Sequence, residues 1–338
     1  MIKFAGSREE FGAFHGKWLR AERHDFCRNL TKNQQTTLRK QLRIYEEFYP
    51  ELVTEIISAA DSINLEPDLL LYEDLARFVD SQRAKVNPHQ HGCTIFALAE
   101  NGKTFVGRNY DWLPEARDFF EYYNLSLIGA NRCFIFSDEG VWRRHTGRKH
   151  RKMYAEDAVN EHGLYIGLTY AHIDKWNYGL APSHMIRYVA EKCRTTRQAL
   201  NAFAKVPCAV PKNFLIADKN GDMAVVEHAA KSYAVVRADE SGILVKTNHS
   251  LSPKMRPLDK VRKRDPQTDS FLRYEEAKHL AAMQLPGFQF TDLWRILRES
   301  KYVYNSETIW SLALELSESR LNLYYDTAQG QKQTKLGF

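Results

Sequence analysis

The spacing of apolar and polar residues changes near residue 92 and divides the chain into two unequal parts. Before that point the spacing is helical. Residues 38–63 carry apolar positions three and four apart with one break at Pro50, and residues 66–80 repeat the pattern from Pro67. We therefore expect residues 1–92 to form a helical segment. Beyond residue 92, short apolar runs bounded by glycine and asparagine indicate strands.

The first of these strands belong to a predicted hairpin. Residues 94–99 and 103–108 are rich in apolar side chains, and Asn101-Gly102 lies between them. Asn-Gly favours a two-residue turn because a type I′ turn needs a positive φ at both central residues. Such a hairpin brings the beginning of its first strand next to the end of its second. The polar side chains expected at this edge are those of Cys93, Arg108, Asn109 and Asp111.

The rest of the chain alternates between strands and helices. Residues 182–205 predict two helices after Pro182, and residues 269–283 and 291–300 predict one each. Pattern alone therefore indicates an α+β protein. Strands are predicted at residues 121–130, 131–140, 141–145 and 159–170, in a hairpin over 213–228 that turns at Asn220-Gly221, at 233–238 and 242–250, and as two final strands within 306–327.

The composition is that of an ordinary globular protein, with 43% hydrophobic and 27% charged residues in a chain of 338. No run of about 18 apolar residues occurs, so we expect no membrane-spanning helix. The first residues lack the continuous apolar core of a signal peptide, which makes the cytoplasm the default location. The five cysteines are odd in number and widely spaced, so we expect no disulfide framework, no zinc site and no cofactor.

The net charge is +6, and two basic runs contribute to it, at residues 143–152 and 254–264. Such runs could meet an acidic partner, including nucleic acid or the phosphates of coenzyme A. Neither run carries the interleaved aromatic residues of a single-strand binder. We favour solvated loops, and we expect no nucleic-acid partner and no membrane association.

The residues at the edge of the first hairpin match a known pattern. Gly92-Cys93-Thr94 opens one strand and Gly107-Arg108-Asn109-x-Asp111 closes the next. This arrangement resembles the cysteine N-terminal-nucleophile (Ntn) hydrolases, above all the acyl-CoA:6-aminopenicillanate acyltransferase-like (peptidase C45-like) proteins, with choloylglycine hydrolases and penicillin V acylases as more distant relatives. The resemblance implies an αββα four-layer sandwich. It also implies a precursor whose residues 1–92 become an α-chain by self-cleavage at Gly92-Cys93, while residues 93–338 form the catalytic β-chain and the two chains stay associated.

The chemistry of the family suits Cys93. A thiol is a strong nucleophile that still needs a base, and an α-amino group, with a reference pKa of about 7.7–8.0, supplies one once the Cys is N-terminal. The nitrogen is a useless amide before cleavage. Activation is therefore expected by attack of the Cys93 thiol on the Gly92 carbonyl, with water opening the resulting thioester. Without the motif, Cys93 would be interpreted as a small buried strand residue.

Five further positions follow from the resemblance. Arg108 and Asp111 match the family's substrate-side pair, next to Asn109. Asn248, in Thr247-Asn248-His249, matches an element whose amide would stabilise the oxyanion, although an Asn that caps a strand end is the alternative. Arg273 lies in a Ser-Phe-Leu-Arg-Tyr segment whose register is ambiguous by one residue, and an ordinary surface pair with Glu276 is equally acceptable. Thr169 stands where the bile-salt relatives place a catalytic-site Asn, which puts that strand's contribution in doubt.

The resemblance thus predicts a self-processing amidohydrolase or acyltransferase that acts on linear amides or acyl-CoA through an S-acyl-Cys93 intermediate. Two alternatives stay open. The fold could serve an uncleaved binding protein that contacts an anionic partner, or Cys93 could pair with His249 in a hydrolase that does not self-process. His89 and His91, just before the cleavage site, could bind metal or assist cleavage, and a linker with incidental histidines is favoured. The substrate, the choice between water and an amine, and a possible homo-oligomer are not determined.

Overall fold

The protein is described from a computed structural model, which covers residues 1–21, 29–83, 92–112, 117, 120–138, 155–230, 232–261, 269–327 and 330–338. The helices in these ranges are α1 (Arg8–Ala21), α2 (Lys32–Phe48), α3 (Pro50–Ser62), α4 (Pro67–Leu71), α5 (Arg77–Arg83), α6 (Pro182–Lys192), α7 (Thr196–Lys205), α8 (Ser270–Met283) and α9 (Phe290–Trp294). Single π-helical turns follow α4, at Tyr72–Ala76, and α9, at Arg295–Glu299.

The strands of the described residues form two sheets. They are β1 (Ile2–Gly6), β2 (Thr94–Glu100), β3 (Lys103–Asp111), β4 (Phe120–Leu127), β5 (Cys133–Asp138), β6 (Ala155–Asn160), β7 (Leu164–Tyr170), β8 (Lys212–Asp218), β9 (Met223–Ala229), β10 (Ser232–Val236), β11 (Ile243–Lys246), β12 (Thr308–Glu315), β13 (Arg320–Thr327) and β14 (Gly330–Leu336). Sheet one has the order β1-β4-β5-β6-β7-β8-β9-β10, and sheet two has the order β11-β2-β3-β12-β13-β14.

Three apolar cores separate four layers. One core joins the outer face of sheet one to α1–α3, α6 and α7, a second fills the space between the sheets, and a third joins the outer face of sheet two to α8 and α9. This confirms the predicted αββα sandwich. None of the helices in the described ranges is long and apolar enough to cross a membrane.

The N-terminal segment differs from the prediction because it is not wholly helical. Its helices confirm the pattern, including the break at Pro50, which begins α3. Residues 2–6, however, form β1, which pairs in parallel with β4 at the edge of sheet one. Five residues are too few for a periodic signal, and the backbone of β1 bonds to a strand more than a hundred residues away. The segment therefore completes the sheet as well as covering it.

The later strands and helices follow the predicted order. The Asn101-Gly102 turn has φ values of 50° and 74°, as a type I′ hairpin requires. The sequence pattern missed β14, which pairs with β13 after the predicted final hairpin. It also missed β6, because the single strand expected at 159–170 divides at Gly163 into the end of β6 and the whole of β7. The basic run 143–152, the strand at 141–145, part of the run 254–264, and both His89 and His91 lie outside the described residues.

Candidate active site

Cys93 lies at the beginning of β2, where this strand pairs with the end of β3. In the ladder Thr94 faces Asn109 and Ile95 faces Arg108, so the predicted side chains do meet at one sheet edge. The Cys93 side chain points into the core between the two sheets and is only 4% exposed. Its Sγ contacts the backbone oxygen of Asp111 at 3.8 Å.

Arg108 is fully buried beside this thiol. Burial raises the pKa of Cys93, and the positive charge of Arg108 acts in the opposite direction and favours the thiolate. The guanidinium is held by Asp157, since Nε donates to the two carboxylate oxygens at 3.0 and 3.1 Å, and Nη1 donates to the Asn109 carbonyl at 2.9 Å. Asp157 was not identified in the sequence, where the adjacent acids Glu156 and Asp157 give no signal of which one is buried or which residue it pairs with.

Asp111 lies at the end of β3 on the other face of the hairpin. Its carboxylate accepts hydrogen bonds from Thr308 Oγ1 at 2.7 Å and from Asn305 Nδ2 at 3.1 Å. Burial raises the pKa of this carboxyl above its ordinary value, and the positive charge of Arg273 opposes that effect. The structure thus places Asp111 within electrostatic reach of both arginines of the site.

Arg273 reaches the same edge from α8 and is 1% exposed, so it is not half of a surface pair with Glu276. Its Nη1 donates to the Cys93 carbonyl at 2.5 Å and to Thr94 Oγ1 at 3.1 Å. Its Nη2 donates to Asn248 Oδ1 at 2.8 Å. These three bonds connect Arg273 to the backbone of Cys93, so residue 273 is the arginine of this segment that reaches the candidate site.

Asn248 occupies the turn after β11, opposite Cys93 across Arg273. Its Nδ2 donates to the Tyr170 carbonyl at 3.1 Å, while its Oδ1 accepts from Arg273. Its backbone N–H donates to Ser270 Oγ at 3.0 Å, and so does the backbone N–H of His249. Ser270, the first residue of α8, therefore ties the turn to the helix that carries Arg273. Sequence reasoning missed this residue, although it begins the quoted Ser-Phe-Leu-Arg-Tyr segment.

Thr169 and Asn109 have structural partners. Thr169 Oγ1 donates to the Thr247 carbonyl at 2.6 Å and accepts from Asn213 Nδ2 at 3.2 Å, which links β7 to the turn that carries Asn248. Asn109 points to the opposite face of β3 from Arg108, and its Nδ2 donates to the carbonyls of Leu297 and Val303, both at 2.8 Å. Thr169 therefore contacts the backbone of the turn that carries Asn248, whereas the Asn109 amide contacts the backbone on the outer face of sheet two.

The His249 ring is placed against α8 rather than against Cys93. Its Nδ1 lies 2.9 Å from Ser270 Oγ and 3.2 Å from Thr247 Oγ1, and the ring stacks on Phe271 with centroids 3.8 Å apart. Burial, reinforced by the charges of Lys246 and Arg273, lowers the pKa of His249 to about 3, so the imidazole is neutral at physiological pH. Within the described ranges, no group of three His, Cys, Asp or Glu side chains is arranged to hold a metal.

The arrangement combines four chemical functions at one sheet edge. Cys93 provides a buried thiol next to the Gly92 carbonyl, and Arg108 provides a positive charge that favours the thiolate. Arg273 binds the backbone of Cys93, and Asn248 provides an amide at the opposite side. Such a set is suited to nucleophilic attack on a carbonyl followed by acyl transfer.

Comparison with known proteins agrees with this geometry. The family model described as acyl-coenzyme A:6-aminopenicillanic acid acyl-transferase matches residues 98–329, about two thirds of the chain. The match begins five residues after Cys93, so it includes Arg108, Asp111, Asn248 and Arg273 but not the thiol itself. No curated protein has a sequence that matches this chain.

Solved structures that this chain resembles are distant from it in sequence. Penicillin V acylase from Agrobacterium tumefaciens superposes with a TM-score of 0.50 at 14% identity, over 73% of this chain and 86% of that chain. Conjugated bile acid hydrolase from Clostridium perfringens gives 0.48 at 13% identity, over 73% and 92%. The Caenorhabditis elegans ortholog of N-acylethanolamine-hydrolyzing acid amidase gives 0.47 at 15% identity, over 67% and 93%. The likeness to penicillin V acylase shows that this chain has the Ntn hydrolase fold.

Proposed function

Because the chain belongs to the acyl-coenzyme A:6-aminopenicillanic acid acyl-transferase family, and is therefore an amide-hydrolysing or acyl-transferring enzyme, we propose that it is a self-processing cysteine amidohydrolase or acyltransferase with Cys93 as its nucleophile. The observation that carries the proposal is the contact set of Arg273. One guanidinium binds the Cys93 carbonyl, the Thr94 hydroxyl and the Asn248 amide, and it lies against Gly92. A buried arginine in this position organises the peptide bond that maturation has to break.

Maturation proceeds within the chain. The Cys93 Sγ attacks the Gly92 carbonyl carbon, the bond from that carbon to the Cys93 nitrogen breaks, and the nitrogen takes up the proton that the thiol gave up. The product is a Gly92 thioester on Sγ and a free α-amine on Cys93. Water then adds to the thioester, which gives the Gly92 carboxylate and restores the thiol. Residues 1–92 and 93–338 are the two resulting chains.

Turnover repeats the same acyl chemistry on a linear N-acyl amine, or on an acyl-CoA thioester. The Cys93 α-amine accepts the thiol proton, and Sγ attacks the acyl carbon. The amine then protonates the leaving nitrogen as the C–N bond breaks, or the leaving coenzyme A sulfur as the C–S bond breaks. The Asn248 amide is the donor that we assign to the oxyanion, and the loss of one such donor typically costs about 10²–10³ in rate. Arg108 and Asp111 orient the nucleophile and the substrate. Water or a second amine then takes the acyl group from Sγ.

A buried ionic cluster keeps the two chains together in this proposal. From the N-terminal segment, Arg8 Nη2 donates to Glu191 Oε2 at 2.7 Å, the Tyr49 hydroxyl donates to the same carboxylate, and Glu55 accepts two bonds from Arg187 at 2.8 and 2.9 Å. Glu191 and Arg187 lie on α6, beyond the cleavage site. The charged groups are nearly inaccessible to water, so separating the chains would leave buried charges unpaired.

The test is the denatured mass of freshly purified protein. A chain of 39.3 kDa that is cut after residue 92 gives fragments of roughly 11 and 29 kDa, the larger beginning at Cys93. Cys93→Ala should stay whole and inactive. Cys133→Ala is the matched control, because Cys133 is equally buried but lies in the core on the far face of sheet one, and it should cleave like wild type.

Turnover is tested with the processed protein and a panel of N-acyl amines and acyl-CoA thioesters. The expected result is a mass increase on the larger fragment that equals the acyl group and maps to Cys93. An intact wild-type chain that binds anionic polymers in a salt-sensitive way would favour the non-catalytic alternative. Turnover by the Cys93→Ala variant would contradict the mechanism.

A further inference from the structure

Asp157, on β6, is buried between the two sheets and surrounded by hydrogen-bond donors. Besides the two bonds from Arg108 Nε, its carboxylate accepts from the Tyr165 hydroxyl at 2.6 Å and from Trp310 Nε1 at 3.2 Å. Arginine and tryptophan side chains can only donate. A carboxylate is therefore the group that satisfies all of these donors, and a neutral amide in its place would turn one N–H toward another donor.

The space around this carboxylate is shaped for it. Gly167 faces Asp157 in the ladder between β6 and β7, and a Cβ at residue 167 would lie 2.3 Å from Asp157 Oδ1 and 2.1 Å from the Tyr165 hydroxyl oxygen. Trp310, which supplies the third donor, stacks on Tyr110 with ring centroids 3.8 Å apart and an angle of 9°. Four elements of the two sheets thus fix the position of one carboxylate.

The carboxylate in turn fixes one edge of Arg108. Nε is bound to Asp157 and Nη1 to the Asn109 carbonyl, whereas Nη2 is buried and has no hydrogen-bond partner among the described residues. The guanidinium also lies over the Tyr110 ring, with Cζ 5.2 Å from the centroid. A planar group that is held at two of its three nitrogens has a fixed orientation, and this guanidinium lies close enough to the Cys93 thiol to interact with it.

We propose that Asp157 is a positioning residue, which holds the Arg108 guanidinium so that its unoccupied Nη2 edge faces the Cys93 sulfur during attack. The inference rests on the proposed function of Cys93. Asp157 does not touch the reacting atoms and acts only through Arg108. Tyr165 and Trp310 bind the Asp157 carboxylate, so they contribute indirectly to the orientation of the Arg108 guanidinium.

The first experiment compares two buried aspartates of sheet one. Asp157→Asn should slow self-cleavage by about 10²-fold, the loss typical of a misplacement of about 1 Å at a reacting group. Asp218→Asn is the matched control. Asp218 is 2% exposed and accepts from the backbone N–H groups of Thr196 and Asn220, at the end of β8 away from Cys93. The Asp218→Asn variant should cleave at the wild-type rate when each protein is assayed at the same number of degrees below its own melting temperature.

The second experiment separates positioning from stability. Arg108→Met leaves Asp157 as an unpaired buried charge, and the double variant with Asp157→Asn removes that charge. The double variant should melt at a higher temperature than the Arg108→Met variant. The two variants should nevertheless cleave at the same rate. A purely structural role predicts the opposite, with cleavage recovering as the melting temperature recovers. Additive losses in the double variant would overturn the proposal.

The alkylation rate of Cys93 by iodoacetamide, mapped by peptide mass against pH, provides a readout that does not require cleavage. The charged and titratable groups that face Cys93 are Arg108, Asp111, Tyr165, Lys212 and Arg273. If Asp157 positions Arg108, Asp157→Asn raises the midpoint of the alkylation profile, because the guanidinium drifts from the sulfur. If Arg108 stays in place without its counter-ion, the midpoint falls and the proposal is wrong. An intact wild-type chain would contradict the proposed function alone, and the alkylation profile would still decide the role of Asp157.

Discussion

Replacement of Gly92 by alanine should block maturation through a single steric contact. A Cβ built on Gly92 would lie 2.4 Å from Arg273 Nη2, 2.7 Å from Cζ and 3.0 Å from Nε. Atoms in folded proteins do not approach this closely, so one of the two residues has to move. Arg273 is pinned by bonds to Cys93, Thr94 and Asn248 and is 1% exposed, which leaves the guanidinium no adjacent space.

The size of the expected rate loss follows from the contacts that are lost when the Arg273 guanidinium is displaced. A hydrogen bond that involves a charged group contributes about 1.5–3 kcal/mol, and overpacking of a filled site costs about 1–3 kcal/mol. Loss of the bond to the Cys93 carbonyl, with some strain at the scissile peptide, therefore amounts to about 3–4 kcal/mol. Because each 1.36 kcal/mol is tenfold in rate, self-cleavage of Gly92→Ala should fall by about 10²–10³-fold.

The assay is a time course of denatured mass after rapid purification, together with a thermal melt. Gly337→Ala is the matched control, since a Cβ at residue 337 meets nothing within 4 Å and this variant should cleave normally. The expected Gly92→Ala chain is whole at times when wild type is fully cut. Cleavage of Gly92→Ala at the wild-type rate would refute the assignment of Arg273 to the scissile peptide, and an intact Gly337→Ala chain would show that the assay reports general destabilisation.

Three further predictions concern charge and pH. Although burial alone would raise the pKa of Glu191, the charges of Arg187 and Arg8 lower it from 4.5 to about 2, so this carboxylate stabilises the fold above pH 4.5 and the stabilisation is lost as the pH falls toward 2. Glu191→Gln should release the smaller fragment on gel filtration at pH 7, and fragments that stay joined would contradict the role of the cluster. Because burial raises the pKa of Cys93, precursor cleavage should accelerate about tenfold per pH unit between pH 6 and 8, and a flat profile measured by quenched mass spectrometry would exclude thiolate attack as the limiting step. His249→Asn should keep cleavage within about tenfold of wild type, since a ring whose pKa lies near 3 and whose Nδ1 contacts Ser270 is too weak a base for the thiol proton. A complete loss of cleavage with normal melting would restore the Cys93–His249 alternative.

The parts of the fold that depend on local chemistry could be predicted from the sequence. The first hairpin is set by Asn101-Gly102, and the break between α2 and α3 is set by Pro50. The missed strands β1 and β14 lie at sheet edges, where pairing on one side suffices and the sequence needs no long apolar pattern. The third missed strand, β6, lies inside sheet one, and two adjacent acids interrupt its apolar pattern. Their existence depends on partners that only the folded chain brings near.

The candidate site likewise combines residues that local sequence patterns predicted with residues that they did not. Cys93, Arg108 and Asp111 lie within one hairpin, so motif and turn together brought them to one edge. Asn109 was grouped with them because it is adjacent in sequence. Asn109 and Asp111 share the face of β3 opposite Arg108, so the alternation of side chains along the strand does not separate them. What distinguishes Asn109 is that its amide donates to the carbonyls of Leu297 and Val303. Asp157 and Ser270 act through bonds to residues 49 and 22 positions away, which no local pattern encodes.

The separation along the chain of the groups that meet at Cys93 has a consequence for the timing of biosynthesis. Arg273 and Cys93 are 180 residues apart, and β1 pairs with a strand that is completed only at residue 127. At about 5–20 residues per second, Arg273 leaves the ribosome roughly ten or more seconds after Cys93. The proposed cleavage would thus be a proofreading step, since a nascent or misfolded chain lacks the groups that cut it. The intact fraction in a wild-type preparation would then count the molecules that never reached the native fold.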